Sequence, residues 1–230
     1  AVHFAFPFAV PGGRMLLDLP IGAVRPETDL MPGSCRNWLT VGRFADITND
    51  DFGVTWATLD APLVEVGALT ATLLGSQTDP KAWRQTIEPT QRLFSWAMNN
   101  HWHTNYRAWQ EGPVTFRYAV RPHRRADLAF AARFAIGLCQ PLLAAVAGPL
   151  PPPEGPLLQL SSQDVVVLSL KPSDDHRARI VRLYGASGRD TDVVLEWPAG
   201  TKQVWLSDTS EQRRAEIGSK VAVPAWGVVT

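Results

Sequence analysis

The densest group of chemically capable side chains runs from Ser95 to Glu111, SWAMNNHWHTNYRAWQE. Its seventeen positions hold three tryptophans, two histidines, a tyrosine, three asparagines, a glutamine, an arginine and a glutamate. Such side chains suit sugar rings: aromatic faces stack on the apolar C–H face of a pyranose, while amides, guanidinium and imidazoles bond its hydroxyls. If the stretch from Asn99 to His103 is extended, His101 and His103 share one face, and Asn100 and Trp102 the other. Two imidazoles at that spacing can also chelate a metal. A zinc site needs a third protein ligand, however, and no further His or Cys stands nearby in sequence, so hydrogen-bonded polar positions are favoured. Trp96, Trp102 and Trp109 each carry a core or interface reading beside the sugar-platform one.

Most glycosidases use two carboxylates, which makes acidic pairs the next candidates. Asp50-Asp51 and Asp174-Asp175 both fall in turn-like sequence, where aspartates bond local backbone, so solvated turn residues are expected. Glu111 has no evident carboxylate partner. The chain has no G-x-S-x-G elbow, P-loop, dinucleotide fingerprint or H-E-x-x-H motif. The run from Arg121 to Arg125 (RPHRR) reads as a solvated basic loop.

The elements that must position these residues are those of a β protein. Nineteen prolines and seventeen glycines punctuate short runs rich in Val, Thr, Leu and aromatics. Strands are expected at Val2 to Val10, Trp38 to Thr48, Gly53 to Leu59, Leu69 to Leu74, Arg92 to Met98 and Val114 to Val120. Phe4, Phe6 and Phe8, spaced by two, share a face of the first. The segment from Asn49 to Gly53 has the composition of a hairpin turn, in which Asn and Gly tolerate left-handed backbone angles. A helix is expected over Asp127 to Leu138, capped by Asp127 and ended by Gly137 or Pro141. Five prolines between Gly148 and Pro156 form an extended connector. Beyond it the strand texture resumes at Val165 to Leu170, Ala178 to Tyr184, Asp192 to Trp197, Thr201 to Leu206 and Val221 to Val229. The expected organisation is a larger β unit at 1–147, a connector at 148–156 and a smaller β unit at 157–230.

The chain has 230 residues, 45% hydrophobic and 19% charged, which is ordinary for a globular protein with a real core. Twenty-two basic residues balance twenty-two acidic ones, so no global field attracts nucleic acid or an anionic membrane. No stretch is apolar enough to span a bilayer and no leader is evident, which gives the cytoplasm as the expected location. The opening on Ala-Val, without Met, reads as a piece of a longer chain. Cys35 and Cys139 fit no ligand spacing; buried reduced thiols are the first reading, with a single disulfide left open.

Three blocks carry a resemblance to a known family. Arg43 to Pro62 (RFADITNDDFGVTWATLDAP), Asn99 to Tyr118 (NNHWHTNYRAWQEGPVTFRY) and Leu168 to Tyr184 (LSLKPSDDHRARIVRLY) resemble, in this order, stretches of bacterial α-mannosidase-like proteins of glycoside hydrolase family 38. The resemblance implies a multidomain retaining enzyme: an N-terminal zinc domain bearing an aspartate nucleophile, a helical bundle, then β-sandwiches. It makes this chain the all-β C-terminal part, a large antiparallel β-sandwich of the galactose mutarotase-like supersandwich kind plus a smaller one. No block resembles the zinc domain, so no catalytic residue, cofactor or metal is expected here. The implied partners are the N-terminal catalytic and helical domains of the same polypeptide and a mannose-containing carbohydrate, with no nucleic acid and no membrane. A sandwich loop in the family helps wall the sugar site and offers an arginine, and the run from Asn105 to Gly112 is similar to it. Arg107 is the matching residue, with His101, His103, Asn105 and Trp109 as further substrate contacts. A stand-alone carbohydrate-binding module is one rival reading. Another is a mutarotase-like enzyme using His101, His103 and Glu111 as acid and base, and a third is an interaction domain without sugar contact.

Overall fold

The computed structural model describes residues 1–70, 83–99, 109–124, 126–140, 142–144, 146, 148, 155–197 and 203–230. They are mostly strands in antiparallel sheets, with one helix. The chain divides into two units, residues 1–126 with 134–139, and 127–133 with 140–230.

The first unit holds nine strands: β1 Val2–Pro7, β2 Arg14–Leu19, β3 Gly22–Val24, β4 Leu39–Thr40, β5 Phe44–Thr48, β6 Gly53–Thr58, β7 Leu63–Val66, β8 Arg92–Met98 and β9 Tyr118–His123. They form a four-stranded sheet in the order β1-β8-β7-β4 and a five-stranded sheet in the order β3-β2-β5-β6-β9. Alternation along the strands builds the core between the sheets. Met15, Leu17, Ala45, Ile47 and Trp56 come from the larger sheet and Val64, Val66 and Leu93 from the smaller, all buried in one cluster. Phe6 packs on Trp56 and Tyr118 at ring separations of 5.3 and 5.2 Å, and Phe4 lies 5.7 Å from Tyr118. The alternate phenylalanines of β1 thus do face the core side, although the strand ends at Pro7.

The expected hairpin turn joins β5 to β6. The Asn49 Oδ1 accepts hydrogen bonds from the amides of Asp51 and Phe52, each at 2.9 Å. Its glycine serves space rather than a left-handed angle. A Cβ on Gly53 would lie 2.3 Å from the Thr48 Oγ1 and 2.6 Å from His123.

The helix α1 is Leu128–Cys139. Asp127 caps it as expected, its Oδ1 accepting from the Phe130 amide at 2.8 Å. Gly137 lies inside the helix rather than ending it. The stop comes two residues before Pro141, whose ring disfavours helical angles at Gln140. Ala129, Ala131, Ala132 and Ala135 are its buried side chains.

The second unit contains β10 Gln159–Leu160, β11 Val165–Pro172, β12 Arg179–Gly185, β13 Thr191–Glu196, β14 Val204–Ser207, β15 Arg213–Ile217, β16 Lys220–Val223 and β17 Val228–Val229. Sheets β10-β13-β16 and β11-β12-β17 supply a second core of Val165, Leu183, Val193, Leu195, Val221 and Val223. The hairpin β14-β15 adds Val204, Leu206 and Ile217 at its margin.

Candidate functional site

The polar-aromatic segment opens on β8, and its first tryptophan is an anchor rather than a platform. Trp96 is 7% exposed. It stacks on His3, its cross-strand partner on β1, at 5.9 Å and 14°, and meets the edge of Trp38 at 5.9 Å. Its Nε1 donates to the Met98 carbonyl at 3.2 Å. Trp109, at the far end, is 60% exposed, and its Nε1 donates to the Glu111 carboxylate at 3.4 Å. The other proposed sugar contacts, His101, His103, Asn105 and Arg107, lie outside the described residues, as does Trp102.

Beside Trp96 the first unit buries a carboxylate that the sequence reading passed over. Glu65 sits between Val64 and Val66 on β7 with no exposure, and its Oε1 meets the His3 Nε2 at 2.6 Å. The amide of Thr70 donates to its Oε2. Asn37, 1% exposed, then draws two separate segments together. Its amide group donates to the Thr70 carbonyl at 3.2 Å, its carbonyl accepts from the Thr70 hydroxyl at 2.7 Å, and its Oδ1 accepts from the Arg84 amide at 3.2 Å. A buried carboxyl is tolerated when its oxygens are bonded in this way, and the arrangement clamps Thr70 and Arg84 to the sheet.

A second network lies on the other face of the five-stranded sheet from the core. The Asp46 Oδ1 accepts from the Thr55 hydroxyl at 2.6 Å and meets the His123 Nε2 at 2.9 Å, and its Oδ2 accepts from the Thr48 hydroxyl. Asp46 and Thr55 are direct cross-strand partners. His123 therefore belongs to the end of β9, so the basic run is no solvated loop there. Arg121, also on β9, lies over the Phe134 ring at 5.5 Å. The sequence signal for both networks was an acidic residue inside a strand of apolar neighbours, LVEV and FADIT.

Burial pushes the Asp18 carboxyl up to about 6, against the opposing effect of the Arg43 amide, 2.8 Å from Oδ2, and of the Arg43 charge. Cys139 and Cys35 are free and half-buried, and burial raises the Cys139 thiol. The acidic pairs behave as turn residues. Asp50 and Asp51 are exposed in the β5–β6 hairpin turn. The Asp175 carboxylate is held low by the Ser173 hydroxyl at 2.7 Å and the Arg177 amide at 3.0 Å. Among the described residues, no group of three His, Cys, Asp or Glu side chains is placed to hold a metal. None of their helices is long and apolar enough to cross a membrane.

Two antiparallel β units with two separate cores define an all-β chain of the sandwich class. Within it, residues 164–226 match the C-terminal β-sandwich domain of the family 38 glycosyl hydrolases, a span that includes the Leu168 to Tyr184 block. The fold is similar to that of an α-mannosidase from Enterococcus faecalis V583, with a TM-score of 0.69 and 13% identity over 99% of this chain and 25% of that one. It is also similar to a glycosyl hydrolase family 38 protein from Enterococcus faecalis, with a TM-score of 0.69 and 15% identity over 99% of this chain and 26% of that one. The chain thus spans about a quarter of the length of each. No curated protein matches the sequence. Residues 164–226 are thus similar to a family 38 C-terminal β-sandwich domain, and the whole chain shares the fold of about a quarter of each of those two proteins.

Proposed function

We propose that this chain is the non-catalytic C-terminal part of a longer α-mannosidase-like glycoside hydrolase, which it stabilises and whose sugar site it helps to wall. The observation that carries the reading is the match of residues 164–226 to the family 38 C-terminal β-sandwich domain. Its partners are then the catalytic and helical domains of the same polypeptide, and its ligand a mannose-containing carbohydrate. Zinc belongs to the catalytic domain, and no described residue of this chain is assigned to it. Trp109, exposed within the Asn105 to Gly112 run, supports a sugar contact. In this reading Arg107 bonds substrate hydroxyls or orients a carboxylate of the catalytic domain, with His101, His103 and Asn105 beside it.

A chromogenic α-mannoside tests the reading. The 230-residue chain with added zinc should give no turnover, and the full-length gene product should hydrolyse the substrate. In that longer protein Arg107→Ala should raise KM or lower kcat/KM by about tenfold, the loss of one charge-assisted contact. Turnover by the short chain, or an Arg107→Ala enzyme with unchanged efficiency and inhibitor affinity, would refute the corresponding part.

A further inference from the structure

In the second unit, β14 and β15 pair with each other as a two-stranded ribbon. The six buried residues of the second core come from β11, β12, β13 and β16, and the ribbon contributes none of them. It adds Val204, Leu206 and Ile217 at the margin, and every residue of its two strands is part-buried or exposed. The ribbon is also tied to itself. Arg213 lies over the Trp205 ring at 5.5 Å, and Arg214 donates to the Asp208 carboxylate. An element with little buried surface and its own internal bonds can open without unfolding its neighbours.

The tip of the ribbon is the turn from Asp208 to Gln212, and Asp208 closes it. Its Oδ1 accepts from the amides of Ser210 at 2.9 Å and Gln212 at 3.0 Å, and its own amide donates to the Gln212 carbonyl at 3.1 Å. Glu211 stands in this turn at a φ of 65°, a left-handed angle that glycine or asparagine adopts with less strain. Strain kept at one residue points to a use for its side chain. That side chain leaves the turn. Its Oε1 meets the Lys171 Nζ of β11 at 2.7 Å and a guanidinium nitrogen of Arg182, on β12, at 3.3 Å. Arg182 also reaches the Thr209 carbonyl of the same turn at 3.5 Å.

We propose that the β14–β15 ribbon is a flap on the second core and that Glu211 is its latch, so that ionic strength sets how often the flap opens. Two cations on neighbouring strands draw one carboxylate, and with it the tip, onto the sheet. Both cations are about a third exposed, so salt weakens the attraction. In the open form Val204, Leu206 and Ile217 leave the core margin together, because the pairing between β14 and β15 is kept.

Native-state amide hydrogen exchange of the 230-residue chain tests this. Two variants separate the latch from the backbone strain: Glu211→Gln keeps the strain and removes the charge, and Glu211→Gly removes both. Loss of two part-exposed ion pairs should speed exchange in β14 and β15 by about fivefold in both variants at low salt, with β12, β13 and β16 unchanged. In the parent, salt at about 0.5 M should raise the ribbon's rate towards that of Glu211→Gln, and in the variants it should change little. Slower ribbon exchange in Glu211→Gly would mean that the backbone angle governs the tip, and would overturn the latch. Unchanged rates in Glu211→Gln would overturn it equally. Acceleration shared by β12, β13 and β16 would make the ribbon part of one cooperative unit and overturn the flap.

Discussion

Asp18 is a carboxyl that the fold holds against its preference. It is 8% exposed, and burial raises it from 3.8 to about 6. The sign follows from the direction of the shift. Below pH 3.8 both folded and unfolded forms carry the proton, and the site imposes no cost. Between 3.8 and about 6 the unfolded chain releases the proton while the folded chain keeps it, so stability falls as pH rises and the loss is complete above the folded value. A shift of about two units corresponds to about 3 kcal/mol. Asp18→Asn removes that cost and keeps an acceptor for the Arg43 amide, though a neutral acceptor is weaker by about 1 kcal/mol. The variant should therefore be about 2 kcal/mol more stable than the parent at pH 8 in urea unfolding, and no more stable at pH 4. A gain that persists unchanged at pH 4 would place the cost elsewhere than in ionisation.

Among elements, the tightest constraint is the corner where β12 meets the chain around Pro224. The Trp226 amide donates to the Gly185 carbonyl at 3.0 Å, and the Gly185 amide to the Gly227 carbonyl at 3.1 Å. A Cβ at Gly185 would stand 2.2 Å from the Pro224 carbonyl oxygen, a backbone atom with no rotamer to yield. Gly185→Ala should cost more than about 2 kcal/mol, the range for overpacking a closed site. Gly218→Ala, with nothing within 4 Å of its added methyl, should lie within about 0.5 kcal/mol of the parent. Equal unfolding midpoints for the two variants would contradict the account. Element type was legible in the sequence where one face of a strand is buried and the other is not, as in β13, TDVVLE. In β15, RRAEI, only Ile217 is part-buried, at the margin of the second core, so its alternation is too weak to read. In β2, RMLLDL, burial on both faces blurs the alternation, with Leu17 and Asp18 adjacent and both covered. β9 runs on through Pro122 where the sequence ended the strand at Val120. An edge strand has a side on which no ladder donor is needed, and β9 is an edge. Of the expected strand at Leu69 to Leu74, residues 69 and 70 are not in a strand, and the rest lies outside the described residues. The polar-aromatic segment could be found by composition alone. The networks beside it could not, because His3 and Glu65 are 62 residues apart and Asp46 and His123 are 77 apart, and only strand pairing brings them together.

On the scale of the whole molecule, charge and apolar surface act together. The formal net charge is zero at pH 7 and the isoelectric point is about 7.2, so long-range repulsion between copies vanishes near neutrality. At the same pH the chain presents Phe4 and Val120 on the edge strands β1 and β9, together with Met31, Leu142, Leu143 and Val146, each of the last four at least three quarters exposed. A surface of this kind is held apart only by charge when nothing covers it. The 230-residue chain alone should therefore be least soluble between about pH 6.5 and 8, and should recover at pH 9, where its net charge is negative. Turbidity against pH at fixed concentration measures this. Phe4→Lys distinguishes the two contributions, because it adds one charge and also breaks the apolar edge. If only the charge mattered, the minimum would move up slightly in pH with its depth unchanged. The exposed edge predicts a shallower minimum, and an equally charged Thr230→Lys, in the second unit, should not reproduce it.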